Sequence, residues 1–164
     1  MFCAVFALTL ILSSYSISQD HQDLVVQAIN GDEISLKALT EKGPVLLNFW
    51  ALWCEPCKAE MGQFQSLYDR YREKGFSILT VNEDNQKSVS KVPAYISAQE
   101  YTFFVSVDPD GDVAQMFNVQ SYPTSLLFDR RGTIVYRELG YKPGDEEKLE
   151  EAMKKLFSKD DEQR

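Results

Sequence analysis

Val45-Leu46-Leu47-Asn48-Phe49-Trp50-Ala51, followed after Leu52 by Trp53-Cys54-Glu55-Pro56-Cys57, decides how this chain reads. The first seven residues form a nearly continuous apolar run of strand length, as expected for a strand covered on both faces. Beyond Cys54, Met61, Phe64, Tyr68 and Tyr71 recur at helical spacing. Pro56 falls in the first turn of that helix, where a missing N–H costs no hydrogen bond. A strand therefore runs into a helix, with Cys54 at the junction and Cys57 one turn further in. The helix start directs unsatisfied N–H groups and the positive end of the dipole at the Cys54 sulfur, which favours the thiolate. Cys54 is the candidate nucleophile. Cys57 is placed to attack a mixed disulfide on Cys54 and resolve it. A lone Cys-x-x-Cys also fits half a zinc site, but tetrahedral zinc needs two more ligands and His21 is the only histidine.

Outward from this junction the pattern alternates. Leu24 to Ile34 reads as a short hairpin around Asn30-Gly31-Asp32, a favourable tight-turn sequence. Phe76 to Val81 reads as the next strand, Asn85 to Gln99 as a partly helical crossover interrupted at Pro93, and Thr102 to Val107 as a further strand. Ser125 to Asp129 and Thr133 to Glu138 flank Arg130-Arg131-Gly132 as a hairpin. After Gly140, Leu149, Ala152, Met153, Leu156 and Phe157 share one face of a terminal helix, opposite Glu146, Glu147, Glu150, Glu151, Lys154 and Lys155. From Ser158 five of seven residues are charged, which predicts a solvated tail over 158–164.

The chain's 164 residues, 44% hydrophobic and 12% aromatic, suffice for one domain with one core, expected over 19–157. Seventeen Lys and Arg against 25 Asp and Glu give a net charge of −8, which repels phosphate backbones and argues against nucleic acid as a partner. With one histidine, Ser-His-Asp and Cys-His hydrolase sites drop out as well. Residues 1–18 carry no Lys, Arg, Asp or Glu, and the apolar run Phe2 to Leu12 is shorter than the ~20 residues that span a bilayer. An export signal cleaved after Ser16-Ile17-Ser18 is expected, with an N-terminal membrane anchor as the alternative. Cys3 would leave with that signal. The remaining pair, three apart, would restrain the unfolded chain very little as a structural staple.

The order strand, Trp-Cys-x-x-Cys, helix, and later Tyr122-Pro123-Thr124 before a hairpin and a final helix, resembles the thioredoxin superfamily. The stretch Val45 to Glu60 and the long insertion Asn85 to Val107 are similar to the exported TlpA/ResA-type thiol-disulfide oxidoreductases. The resemblance covers about Leu24 to Phe157. It implies an α/β fold of three layers, a central mixed sheet with helices on both faces, carrying a TlpA-type insertion and an N-terminal hairpin. It also implies thiol-disulfide exchange with protein cysteines and no cofactor or metal. Where thioredoxins carry a strand acid, this chain has Asn48, and the resemblance moves the acid to Glu60, placed to take the proton of Cys57. Gly62 stands where such proteins often have a kinking proline. Tyr122-Pro123 matches the superfamily's cis-proline position, so Pro123 and the Tyr122 backbone are expected to meet client segments, together with Trp53, Glu55 and Pro56.

Several other features carry less. Asp108-Pro109-Asp110-Gly111-Asp112 lacks the Gly and Glu positions of a calcium loop and reads as a turn. Tyr15, Tyr95, Tyr101, Tyr136 and Tyr141 share no single period and are assigned to packing or surface. The expected activity is reduction of client disulfides in the cell envelope, with apocytochromes, copper-delivery proteins or misoxidised envelope proteins as client classes. A membrane electron donor is the implied partner, and a monomer is expected. An oxidising direction, a thiol peroxidase and a redox-silent interaction module remain open. The direction depends on Glu55, whose carboxylate offsets the helix end beside Cys54, and on where Lys58 reaches.

Overall fold

The computed structural model describes residues 21–162. The expected export segment and Cys3 lie outside those residues, as does Tyr15. Chain order begins with β1 (Val25–Gln27) and β2 (Glu33–Ser35), an antiparallel hairpin in which Val26 faces Ile34. The turn needs a left-handed residue, supplied by Gly31 at φ +93°. A short helix α1 (Leu36–Thr40) follows, with the Ser35 hydroxyl accepting the Ala38 N–H at 3.3 Å. The sequence reading did not anticipate α1: its five residues are too few for a periodic pattern, and its cap is one serine.

β3 (Val45–Trp50) is buried at all six positions, as its unbroken apolar character requires. It leads into α2 (Glu55–Tyr71), then β4 (Ser77–Asn82), α3 (Val92–Ala98), β5 (Phe104–Val107), α4 (Asp112–Met116), β6 (Thr124–Phe128), β7 (Ile134–Leu139) and α5 (Asp145–Glu162). The larger sheet runs β5-β4-β3-β6-β7. β3, β4 and β5 are parallel, whereas β6 is antiparallel to β3 and to β7. The sheet is mixed because α2 and the β4-to-β5 crossover return the chain in one direction, whereas β6, entered after α4, runs against β3, and the tight turn at Gly132 reverses the chain once more into β7.

Helices cover both faces. Leu46, Trp50, Ile78 and Leu127 pack against Met61 and Phe64 of α2, Val92 and Ile96 of α3, and Leu149 and Met153 of α5. Leu47, Phe49, Leu79, Leu126 and Phe128 pack against Leu36 of α1, Ala114 of α4 and Phe117. Each such buried aliphatic or aromatic side chain contributes about 1.5–3 kcal/mol of transfer free energy. This is the expected three-layer thioredoxin-like architecture, and Cys54 and Cys57 lie just beyond the end of its central strand.

Three local readings change. Pro93 does not interrupt a helix; it occupies the first turn of α3, where it needs no hydrogen bond. Asp108 to Asp112 is more than a turn, because it opens α4. The charged segment from Ser158, expected as a tail, continues α5 to Glu162. Lys159 lies in the last turn of that helix, where a cation is favourable.

Candidate functional site

The loop from β3 to α2 carries the site. Cys54 is the N-cap of α2 in extended conformation, and its sulfur accepts the Cys57 N–H at 3.3 Å. The sulfur itself thus fills the role that a Ser or Asp side chain usually takes at a helix start. Cys54 and Cys57 are joined in a disulfide. Cys54 retains 5% of its surface and Cys57 none, so the first sulfur is the one that an incoming group reaches. Pro56 sits in the first turn, as the sequence predicts.

Three anchors fix this loop. The Cys54 N–H donates to the Ala51 carbonyl at 3.0 Å, and the Glu83 N–H donates to the Trp50 carbonyl at 2.8 Å. The third is Asp84, 1% exposed, whose Oδ2 accepts the Leu52 N–H at 2.6 Å and the Asn82 side-chain N–H at 3.0 Å. Its Oδ1 accepts the Ser88 hydroxyl at 2.7 Å. Asp84 escapes sequence reasoning, since nothing local distinguishes it from a surface aspartate in a loop.

Beneath the cysteines lies Glu60, 5% exposed and on the Cys57 side of α2 three residues on. Its Oε2 accepts the Asn48 side-chain N–H at 2.9 Å and its Oε1 accepts the Ser125 hydroxyl at 3.1 Å. Asn48 donates its other N–H to Ser125 at 2.9 Å, closing a ring of three polar side chains on neighbouring elements. Glu60 is therefore no solvated helix glutamate. Burial pushes its carboxyl up to about 8, against the lowering effect of its two hydrogen bonds, with the nearby charges of Asp145 and Glu138 adding to the rise.

Above the disulfide, Trp53 is 65% exposed and meets Tyr122 edge to face at 5.7 Å. The Tyr122-Pro123 bond is cis. The Gly140 N–H donates to the Pro123 carbonyl at 2.7 Å and the Thr124 hydroxyl to the Ser121 carbonyl at 2.7 Å, which hold this turn at the start of β6. Glu55 accepts from Lys58 Nζ at 2.6 Å. Lys58 therefore answers Glu55, and the carboxylate that would otherwise sit unopposed beside Cys54 is largely compensated. Tyr95 and Tyr101 belong to an aromatic stack with Trp50 and Phe103, in keeping with packing.

Comparison with known proteins follows the same line. The AhpC/TSA family model matches residues 17–137. The thiol-disulfide oxidoreductase ResA of Bacillus thuringiensis subsp. konkukian is 34% identical over 140 residues, spanning 85% of this chain and 78% of that protein. The crystal structure of a thiol:disulfide interchange protein, DsbE, from Chlorobium tepidum superposes with a TM-score of 0.75 at 29% identity, covering 82% of this chain and 93% of that one. StoA from Bacillus subtilis superposes with a TM-score of 0.65 at 30% identity, covering 79% and 94%.

Proposed function

The chain belongs to the ResA-like thiol-disulfide oxidoreductases of the AhpC/TSA family, and from that premise we propose that it is a reductant of client disulfides in the cell envelope. In the reduced enzyme the Cys54 thiolate attacks a client disulfide, forming a mixed disulfide and releasing one client thiolate. Glu60 takes the proton of the Cys57 thiol, and the Cys57 thiolate then attacks the Cys54 sulfur and releases the second client thiolate. Two electrons pass to the client, the enzyme keeps the Cys54–Cys57 disulfide, and the client thiolates take protons from water. Burial brings the Glu60 carboxyl up to about 8, close to the range of a thiol, so a proton can pass between Cys57 and Glu60 in either direction.

The observation that carries the reductant reading is the Glu55–Lys58 pair. A strong oxidant needs a heavily stabilised Cys54 thiolate, so that its reduced form lies low in energy. Here Lys58 is occupied by Glu55, and the helix end alone supplies ~0.3–1 kcal/mol, up to ~2 when partly buried. The pair then prefers the disulfide, and its dithiol donates electrons. Trp53, Glu55, Pro56, Tyr122 and Pro123 would form the client-facing surface. Residues 1–18 would export or anchor the chain, and a membrane electron donor would reload the dithiol.

Equilibration with redox buffers of known potential tests the direction. A potential toward ~−270 mV supports the reductant, whereas one near ~−120 mV overturns it.

A further inference from the structure

Asn48, Ser125 and Glu138 stand in one row across the sheet. Asn48 on β3 is directly opposite Ser125 on β6, and Ser125 is directly opposite Glu138 on β7. Residues paired in this way share a face of the sheet. The row begins at the Glu60 carboxyl, which Asn48 and Ser125 both hold, and it ends on an edge strand, since β7 pairs with β6 alone among the described strands. Asn48 and Ser125 are buried, whereas Glu138 is half-buried. The Tyr136 hydroxyl donates to Glu138 Oε2 at 2.8 Å and so fixes the outer end of the row.

A crevice of about 10 Å³, room for about one water, lies over the outer part of this row, where β6 and β7 meet α2 and α5. Buried Glu60, Ser125 and Leu149 line it, together with half-buried Tyr136, Glu138 and Asp145. The client-facing residues Trp53, Glu55, Pro56, Tyr122 and Pro123 do not. Glu60 needs such an outlet. Burial keeps its carboxyl protonated over most of the neutral range, so it has to release one proton before it can take that of Cys57. At that stage a client joined to Cys54 covers the cysteine side.

We propose that Glu60 exchanges its proton with solvent through this crevice, with Tyr136 and Glu138 as positioning residues for the water that carries it. This rests on Glu60 as the proton acceptor of Cys57, though not on the direction of electron flow. Only a proton moves: the Glu60 O–H bond breaks, the water passes the proton to bulk solvent, and a carboxylate held by Asn48 and Ser125 remains. The titratable groups around Glu60 are Cys57 on its own helix, Tyr136 and Glu138 on β7, Tyr141 after that strand, and Asp145 and Glu146 at the start of α5. Asp145 accepts from Lys148 Nζ at 2.6 Å and Glu146 from the Tyr141 hydroxyl at 3.0 Å, so both are committed to those partners.

The test follows hydrogen-to-deuterium exchange at the Glu60 carboxyl of the oxidised full chain by rapid-mixing infrared spectroscopy, at about pH 6, below the Glu60 titration. The carboxylic-acid band that Glu60→Gln removes reports this group. Leu149→Phe fills the crevice from the core side, and Glu138→Phe covers its mouth from the half-buried edge strand without disturbing the core. Each should slow the exchange about tenfold by excluding the water. Val135→Phe, on the same strand but outside the crevice, should leave it as fast as in the wild type. In Cys57→Ser protein, a client peptide joined to Cys54 by a mixed disulfide should leave the exchange unchanged from the peptide-free protein. Exchange as fast in both filled variants as in the wild type, exchange slowed by the peptide on Cys54, or a spectrum from which Glu60→Gln removes no band would overturn the proposal. Single-turnover thiol exchange in Glu60→Gln at the wild-type rate would instead overturn Glu60 as the acceptor for Cys57, whichever route its proton takes.

Discussion

Asn48 on β3 donates a side-chain N–H to Glu60 on α2 at 2.9 Å, so the strand position where thioredoxin-like proteins can carry an acid instead steadies an acid on the facing helix. Ser125, directly opposite Asn48 in the sheet register, completes the arrangement from β6. A buried carboxyl costs several kcal/mol when ionised unless partnered. Two neutral donors lessen that cost without neutralising the charge, and so leave a group poised to gain or lose a proton.

This arrangement fixes how stability depends on pH. The folded Glu60 carboxyl titrates at about 8, well above the range of an unfolded glutamate. Its contribution is fully present below about pH 4, where both states are protonated, and is lost as pH rises toward about 8, since the unfolded chain ionises first. At about 1.4 kcal/mol per unit the loss reaches several kcal/mol. Glu60→Gln cannot ionise and should flatten the fall in urea midpoint between about pH 5 and 8 while slowing thiol exchange. Parallel stability profiles for variant and wild type would mean that Glu60 does not titrate as a buried group.

Asp84→Ala removes one carboxylate and leaves the Leu52 N–H and the Asn82 side chain without their acceptor. Stranding buried donors costs about 1–3 kcal/mol each, so the variant should lose roughly 2–6 kcal/mol in denaturant titration. Because Leu52 belongs to the loop that positions Cys54, single-turnover exchange should slow as well. A loss within ~0.5 kcal/mol, as for ordinary surface changes, would contradict the anchoring role.

Limited alkylation of the reduced protein should label Cys54 and spare Cys57. Of these two, Cys54 alone keeps accessible surface, and the first turn of α2 points its N–H groups at that sulfur. Peptide mass mapping reads the outcome. Preferential labelling of Cys57 would exchange the roles of nucleophile and resolving thiol.

How much of this was legible in the sequence follows from the range of each interaction. The strand-to-helix junction, the hairpin at Arg130-Arg131-Gly132 and Pro56 in a first turn are written in neighbouring residues, and they appear as expected. Glu60 was legible only through family resemblance, since its partners lie 12 and 65 residues away. Asp84 drew no reading and Asp108 read only as part of a turn, because their work is done on backbone N–H groups that composition does not reveal.

Trp53 offers the most direct test of the client surface. A tryptophan 65% exposed buries little in the free protein, and its edge contact with Tyr122 is one aromatic pair worth ~0.5–1.5 kcal/mol. Trp53→Ala should therefore change stability by no more than about 1 kcal/mol. Aromatic side chains of this kind are the usual anchors of an interface, where truncation commonly costs more than 1 kcal/mol of binding. Half-saturation with a peptide that carries an intramolecular cystine flanked by Phe and Leu should accordingly rise about tenfold, equivalent to ~1.4 kcal/mol. Val25→Ala supplies the control, since Val25 is 53% exposed on the small hairpin sheet rather than in the loop that carries Cys54. Equal peptide affinities for the two variants would show that the exposed indole is a bystander, and the client would have to be held by the main chain at Tyr122 and Pro123 alone.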